Sequence, residues 1–142
     1  MKKPMSIILM LALTVIVVWG MAPAIYGQEK PKPEAPGFTI SRAVVGTGLE
    51  DREPVGVADT FSATTERVYC FLEANEIEKD TEVSLVWFHG ETEMLKISLP
   101  LQMGPRWRTY AYKNLRGLKG DWKVEIQDAS GALVKEVTFK VE

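Results

Sequence analysis

Glu82-Val83-Ser84-Leu85-Val86-Trp87-Phe88-His89, followed after Gly90 by Glu93-Met94-Leu95-Lys96-Ile97-Ser98-Leu99-Pro100-Leu101, decides the fold class. In the first run Val83, Leu85, Trp87 and His89 share one face, and Ser84, Val86 and Phe88 share the other. In the second, Glu93, Leu95, Ile97, Leu99 and Leu101 alternate with Met94, Lys96, Ser98 and Pro100. A period of two belongs to strands, because successive side chains leave a pleated chain on opposite sides. His89-Gly90-Glu91 closes the two runs into a hairpin.

The same alternation recurs downstream. Trp122, Val124 and Ile126 alternate with Lys123, Glu125 and Gln127; Leu133, Lys135, Val137, Phe139 and Val141 alternate with Val134, Glu136, Thr138 and Lys140. Asp128-Ala129-Ser130-Gly131 supplies the turn between them, with a glycine free to take positive φ. Gly104-Pro105 and Lys119-Gly120 mark further corners. About seven antiparallel strands result, at 38–45, 66–74, 82–89, 93–101, 107–113, 121–128 and 132–141. Strands at this spacing, with no helical pattern long enough for a crossover, predict an all-β, immunoglobulin-like sandwich of two sheets. A short helical turn at Glu73 to Lys79 is compatible with this reading. Gly46 to Ala63 is interrupted by Gly48, Pro54 and Gly56, so Val55, Val57 and Phe61 are expected on an edge strand or in a loop.

Upstream of the strands the chain reads differently. Lys2 and Lys3 precede an almost unbroken apolar run from Ile7 to Trp19, and the small residues Ala22, Ala24 and Gly27 follow. Residues 1–27 therefore read as an export signal, cut after Ala24 or Gly27, or as an uncleaved N-terminal hydrophobic helix. Uncleaved, residues 6–26 reach the ~20 residues that cross a bilayer, with the lysines on the cytoplasmic side. Either way residues 28–142 are expected outside the inner membrane, periplasmic or secreted, with membrane contact only through residues 6–26. Residues 28–37 hold three prolines, alternating charge and no apolar side chain larger than alanine, which predicts an extended linker. Residues 38–142 suffice for one domain with one core.

Counts exclude several functions. The net charge is −2, with acids concentrated from Glu50 to Glu93 and bases from Lys96 to Lys140, so no basic stripe is available for nucleic acid. Cys70 is the only cysteine and His89 the only histidine, so no zinc or copper set assembles and no disulfide closes within the chain. Cys70, inside Val68-Tyr69-Cys70-Phe71-Leu72, reads as a buried thiol; His89 reads as a solvated turn residue. The acids from Glu73 to Glu82 lack calcium-loop spacing. Gly-x-Ser-x-Gly, phosphate loops and dinucleotide fingerprints are absent, so neither an enzyme nor a cofactor is expected.

One segment stands out: Gly104-Pro105-Arg106-Trp107-Arg108-Thr109-Tyr110, with Lys113, Gly120-Asp121-Trp122 and Asp128-Ala129-Ser130-Gly131 behind it. Together with Arg42-Ala43-Val44, Arg52-Glu53-Pro54, Glu66-Arg67-Val68-Tyr69-Cys70-Phe71 and Val86-Trp87-Phe88-His89-Gly90, it resembles domain-of-unknown-function family 2914, a family of exported bacterial domains. The resemblance runs from about Ser41 to Val141 and implies an envelope location without a known activity. Leu85 stands where such sequences often carry histidine before Val-Trp.

Alternation along 107–113 places Trp107, Thr109 and Ala111 on one face and Arg106, Arg108, Tyr110 and Tyr112 on the other. Trp107 is then expected in the core with Trp87, Trp122 and Cys70. Arg106 and Arg108 are expected outside, stacked on Tyr110 and Tyr112 by cation–π contact. The outer set with Lys113 is either scaffold or a recognition patch, since arginine and tyrosine are favoured at binding centres. Three functions follow from these residues. The first is a non-catalytic envelope module that binds a protein or supports an assembly. The second is a carbohydrate or peptidoglycan module using Tyr110, Tyr112, Trp87 and Trp107, which requires an exposed tryptophan. The third, ranked last, is a hydrolase working through acidic residues.

Overall fold

Residues 35–142 are described by the computed structural model of the chain; the stretches read from sequence as signal or anchor, 1–27, and most of the expected linker, 28–37, lie outside the described residues. Ten strands follow in order. They are β1 Thr39–Gly46, β2 Gly48–Glu50, β3 Glu53–Val55, β4 Thr60–Phe61, β5 Arg67–Ile77, β6 Thr81–His89, β7 Thr92–Leu101, β8 Gly104–Asn114, β9 Gly120–Gln127 and β10 Leu133–Val141. All seven strands expected from the alternation are present, as β1 and β5 to β10. No helix long and apolar enough to cross a membrane occurs among the described residues.

Two sheets enclose the core. One has three strands in the order β1-β5-β8, the other five in the order β4-β10-β9-β6-β7, and β2 and β3 form a separate hairpin. Between the sheets lie Val68, Cys70 and Leu72 of β5, Val83, Leu85 and Trp87 of β6, and Trp122, Val124 and Ile126 of β9, all buried. The β6 and β9 sets are those that the period-two reading placed on one face. At about 25 cal/mol per Å2 of apolar area, each fully buried aliphatic side chain stabilises the fold by roughly 1.5–3 kcal/mol before entropy is subtracted. Trp122 and Phe139 face each other across β9 and β10, with rings stacked at 10° and 5.9 Å.

Several expectations need correcting. The stretch Gly46 to Ala63 holds three short strands rather than one edge strand, and the pairing is not wholly antiparallel: β4 joins β10 in parallel, Val141 opposite Phe61. Phe61 is thereby drawn into the core while Val57 stays half exposed. No helical turn forms at Glu73 to Lys79; β5 continues to Ile77, and Glu76 takes a left-handed φ of 52° where the register skips a residue.

Bulges also overrule strict alternation. The β10 register shifts between Leu133 and Lys135, so Val134 packs against the core and Leu133 is left 56% exposed. A second shift beside Trp87 lets Met94 join Leu95 in the core-facing set of β7. An extra residue turns every side chain beyond it to the other face, which no strand pattern announces in advance.

His89 is more than a solvated turn residue. Its ring lies 4.9 Å from Trp122, and Nε2–H donates to the Lys119 carbonyl at 2.7 Å. Because a carbonyl only accepts, that bond places the neutral ring's proton on Nε2.

Candidate functional site

The outward face of the three-stranded sheet is built from cross-strand rows. Arg42, Glu73 and Arg108 form one row, Val44, Phe71 and Tyr110 the next, and Gly46, Tyr69 and Tyr112 the third. Residues directly opposite on one face lie close enough to interact, so the register alone assembles acid, base and aromatic side chains here.

The β2–β3 hairpin folds across this face and is pinned to it by one carboxylate. Glu53 accepts from Arg42 Nη1 at 2.9 Å and from Arg108 Nη1 at 2.8 Å. Arg106 pairs through Nε with Glu73. These ion pairs are partly exposed, and each is worth about 0–1 kcal/mol. Phe71 is buried although it points away from the interior cluster, with Arg42 5.5 Å from its ring centre.

Arg106 and Arg108 are therefore held by carboxylates and do not stack on Tyr110 and Tyr112 as expected. The aromatic partners are different: Tyr69 sits 6.0 Å from Tyr110 and 5.5 Å from Tyr112, and Arg67 lies 4.5 Å over Tyr112. The Tyr69 hydrogen bond is the main reason the Arg67 guanidinium sits above its ordinary pKa. Tyr110 and Tyr112 are 49% and 43% exposed, the large aromatic surface this face offers to solvent.

The expected patch divides between two clefts that meet at Tyr110. One, of about 530 Å3, is lined by Arg106, Arg108 and Tyr110 together with Leu49, Arg52 and Phe71. The other, of about 690 Å3, is lined by Tyr110, Tyr112, Lys113 and Arg116 on one side and the β7 side chains Leu95, Ile97 and Leu99 on the other. Arg52, Lys113 and Arg116 have no carboxylate within ion-pair distance among the described residues. The Lys113 amine is pushed below its ordinary pKa by partial burial and by the neighbouring Arg116.

Arg52 was not foreseen as part of this site, nor were Leu49, Tyr69 and Phe71. Tyr69, Phe71 and Glu73 share an outward face by simple alternation, a signal available in Arg67-Val68-Tyr69-Cys70-Phe71-Leu72-Glu73. Arg52 carries a different signal. Asp51 and Arg52, with φ of 50° and 64°, are the two central residues of the β2–β3 turn, a position that favours Asn-Gly.

Of the residues expected in the core, Trp87, Trp122 and Cys70 are each at most 1% exposed. Trp107 departs from it: it packs against the core but remains half-buried, because β8 is a sheet edge with no strand to cover its flank. Burial raises the Cys70 thiol to about 12. Trp87, at 0% exposure, is removed from any sugar-stacking surface. Among the described residues no three His, Cys, Asp or Glu side chains converge as a metal site would require.

The two-sheet, all-β domain has an immunoglobulin-like fold, on which the solved structures agree. An immunoglobulin-like protein from Pseudomonas aeruginosa superposes with a TM-score of 0.50 at 14% identity, over 74% of this chain and 96% of that one. A β-glucosidase from Erythrobacter marinus gives a TM-score of 0.50 at 8% identity, over 74% of this chain but only 15% of the enzyme. Residues 80–141 match the family described as protein of unknown function (DUF2914), the family that the sequence resembles. The match begins at Asp80, so the likeness drawn at Arg42-Ala43-Val44 and Arg52-Glu53-Pro54 lies upstream of it. No curated protein matches the chain.

Proposed function

We propose that this is a non-catalytic module of the bacterial envelope, working outside the inner membrane, whose β8 face binds a protein partner. The observation that carries the reading is the combination at β8: half-exposed Tyr110 and Tyr112 flanked by Arg52, Lys113 and Arg116, none of which meets a carboxylate within the described domain. Exposed tyrosine and arginine give a partner large contact area at low entropic cost. The export-signal pattern of residues 1–27 supports the location. The carboxylates on this face, Glu53 and Glu73, are each engaged by arginine, which speaks against their acting as a hydrolytic pair. With Trp87 buried, a glycan platform would have to rest on Tyr110, Tyr112 and the rim of Trp107.

The test is a photo-crosslinker placed at Tyr110 of the full chain in native envelope, with K113A/R116A as the control. One protein should be captured by the parent chain and lost from the double variant, with the melting temperature of the variant within a few degrees. Capture that a glycan-degrading enzyme releases, or that the double variant retains unchanged, would contradict the proposal.

A further inference from the structure

We propose that the free edge of β8 takes up an extended acidic segment of a partner protein as an added strand. The inference rests on the reading of the domain as a protein-binding module and specifies how the partner is held.

Topology supplies the edge. β8 ends the order β1-β5-β8, and no described strand pairs along its other side. Alternate residues of an edge strand direct unpaired N–H and C=O groups outward, and natural proteins usually blunt such edges. In β8 the one proline, Pro105, stands at the start, which leaves Arg106 to Asn114 able to pair.

The clefts follow that edge, the first reaching over the outward face to Phe71 and the β2–β3 hairpin. The first is lined by every residue from Arg106 to Tyr110, the second by every residue from Tyr110 to Asn114. Side chains of both parities line them, as expected when empty space runs beside the backbone itself. Leu95, Ile97 and Leu99 of β7, the edge strand of the other sheet, form the far wall of the second cleft and are only partly buried. A strand laid along β8 would turn alternate side chains toward that apolar wall and the others toward the arginine and tyrosine rows.

Charge selects the occupant. Arg52 lies at one end of the channel, Lys113 and Arg116 at the other, all without ion-pair partners in the described domain. Partial burial and, after it, the neighbouring Arg116 hold Lys113 below its ordinary pKa. Carboxylates at the outward positions of an incoming strand would meet Arg52. One at the end that passes Lys113 and Arg116 would meet those cations beside the β7 wall, and apolar residues at the remaining inward positions would meet β7. A second copy pairing β8 on β8 would bring the unpaired Arg52, Lys113 and Arg116 of both copies to one seam, an arrangement that like charges oppose. Backbone pairing then gives affinity and the alternating side chains give specificity, as in other strand-addition complexes.

The experiment uses the full 142-residue chain in detergent micelles and a synthetic peptide alternating valine with glutamate. Controls are a peptide with lysine in place of glutamate and two N-methylated peptides, one blocked along each edge. Hydrogen exchange read by mass spectrometry should slow at least tenfold within Gly104–Asn114, with the β1 amides unchanged. One N-methylated peptide should lose binding and the other keep it. K113E/R116E, with an unchanged melting temperature, should weaken the glutamate peptide about tenfold. Equal binding of the lysine peptide, or of both N-methylated peptides, would overturn the proposal, because either shows adsorption without strand pairing. So would protection of β8 that rises with protein concentration and no peptide, which indicates a second copy. If the peptide fails while the Tyr110 crosslink still captures its partner, strand addition is wrong and the binding-module reading stands.

Discussion

Replacing Arg52 by glycine should make the domain more stable and a poorer binder. Arg52 occupies the second central position of the β2–β3 turn with φ of 64°, directly after Asp51 at 50°. A left-handed backbone costs a residue with Cβ about 1–2 kcal/mol, and glycine does not incur that cost. Glycine is freer in the unfolded chain, which returns about 0.4–1 kcal/mol of the gain. The Arg52 side chain is exposed and makes no ion pair or hydrogen bond among the described residues, so little else is lost. The net expectation is a gain of about 0.5–1 kcal/mol, or roughly 2–6 °C in melting temperature for a domain of this size. A thermal melt followed by tryptophan fluorescence reads this directly, since Trp87 and Trp122 are core residues. The same variant should bind the valine–glutamate peptide more weakly than the parent chain. A lower melting temperature for R52G would refute the reasoning, because it would mean that the arginine holds the hairpin down. Strain kept at a cationic residue beside a cleft is the pattern expected where local stability has been given up for recognition.

Three further outcomes follow from the structure. Asp128 is buried in the β9–β10 hairpin, where its carboxylate accepts from Ser130 Oγ at 2.6 Å and from the N–H groups of Ser130 and Ala132 at 2.9 and 3.0 Å. D128A should cost about 2 kcal/mol in chemical denaturation. The Ser130 hydroxyl above all holds the Asp128 carboxyl below its ordinary value of 3.8. Its stabilisation is complete above that value and lost as pH falls below it, so the parent and D128A curves should converge in acid. Cys70, with its thiol raised to about 12, should react with an alkylating reagent about a thousandfold more slowly than an exposed cysteine until the domain is unfolded; fast labelling of native protein would show an open core. W122F removes the Nε1–H bond to the Leu118 carbonyl at 3.0 Å and leaves a small void, and should lower stability by about 2 kcal/mol in the same denaturation assay.

The long strands were legible because each buries one face, and Val83-x-Leu85-x-Trp87 or Trp122-x-Val124-x-Ile126 can satisfy that in one way only. β2, β3 and β4 were not, since two or three residues show no period. What holds them is non-local: Glu53 reaching Arg42 and Arg108, and Phe61 lying beside Val141. The bulges at Val134 and Met94 turn on one inserted residue each, and such an insertion is invisible in composition. For the site, alternation and the family resemblance gave Arg106, Arg108, Tyr110, Tyr112 and Lys113. Arg52 escaped notice because it is more than fifty residues from β8 in sequence and arrives only when the hairpin folds back. Trp107 misled because the alternation gives its face correctly but does not say that β8 is an edge.

The position of β10 bears on how such a chain reaches its native state. β10 is an inner strand, with β9 on one side and β4 on the other, and it brings Phe139 and Val141 to the interior. The Lys140 and Glu142 amides also donate to Asp59 and Phe61, fastening a segment made some eighty residues earlier. A ribosome that has delivered only the residues before Leu133 has therefore made a polypeptide with a gap in the middle of its larger sheet. Such a chain, released early, would present its indoles and phenylalanines to quality-control proteases.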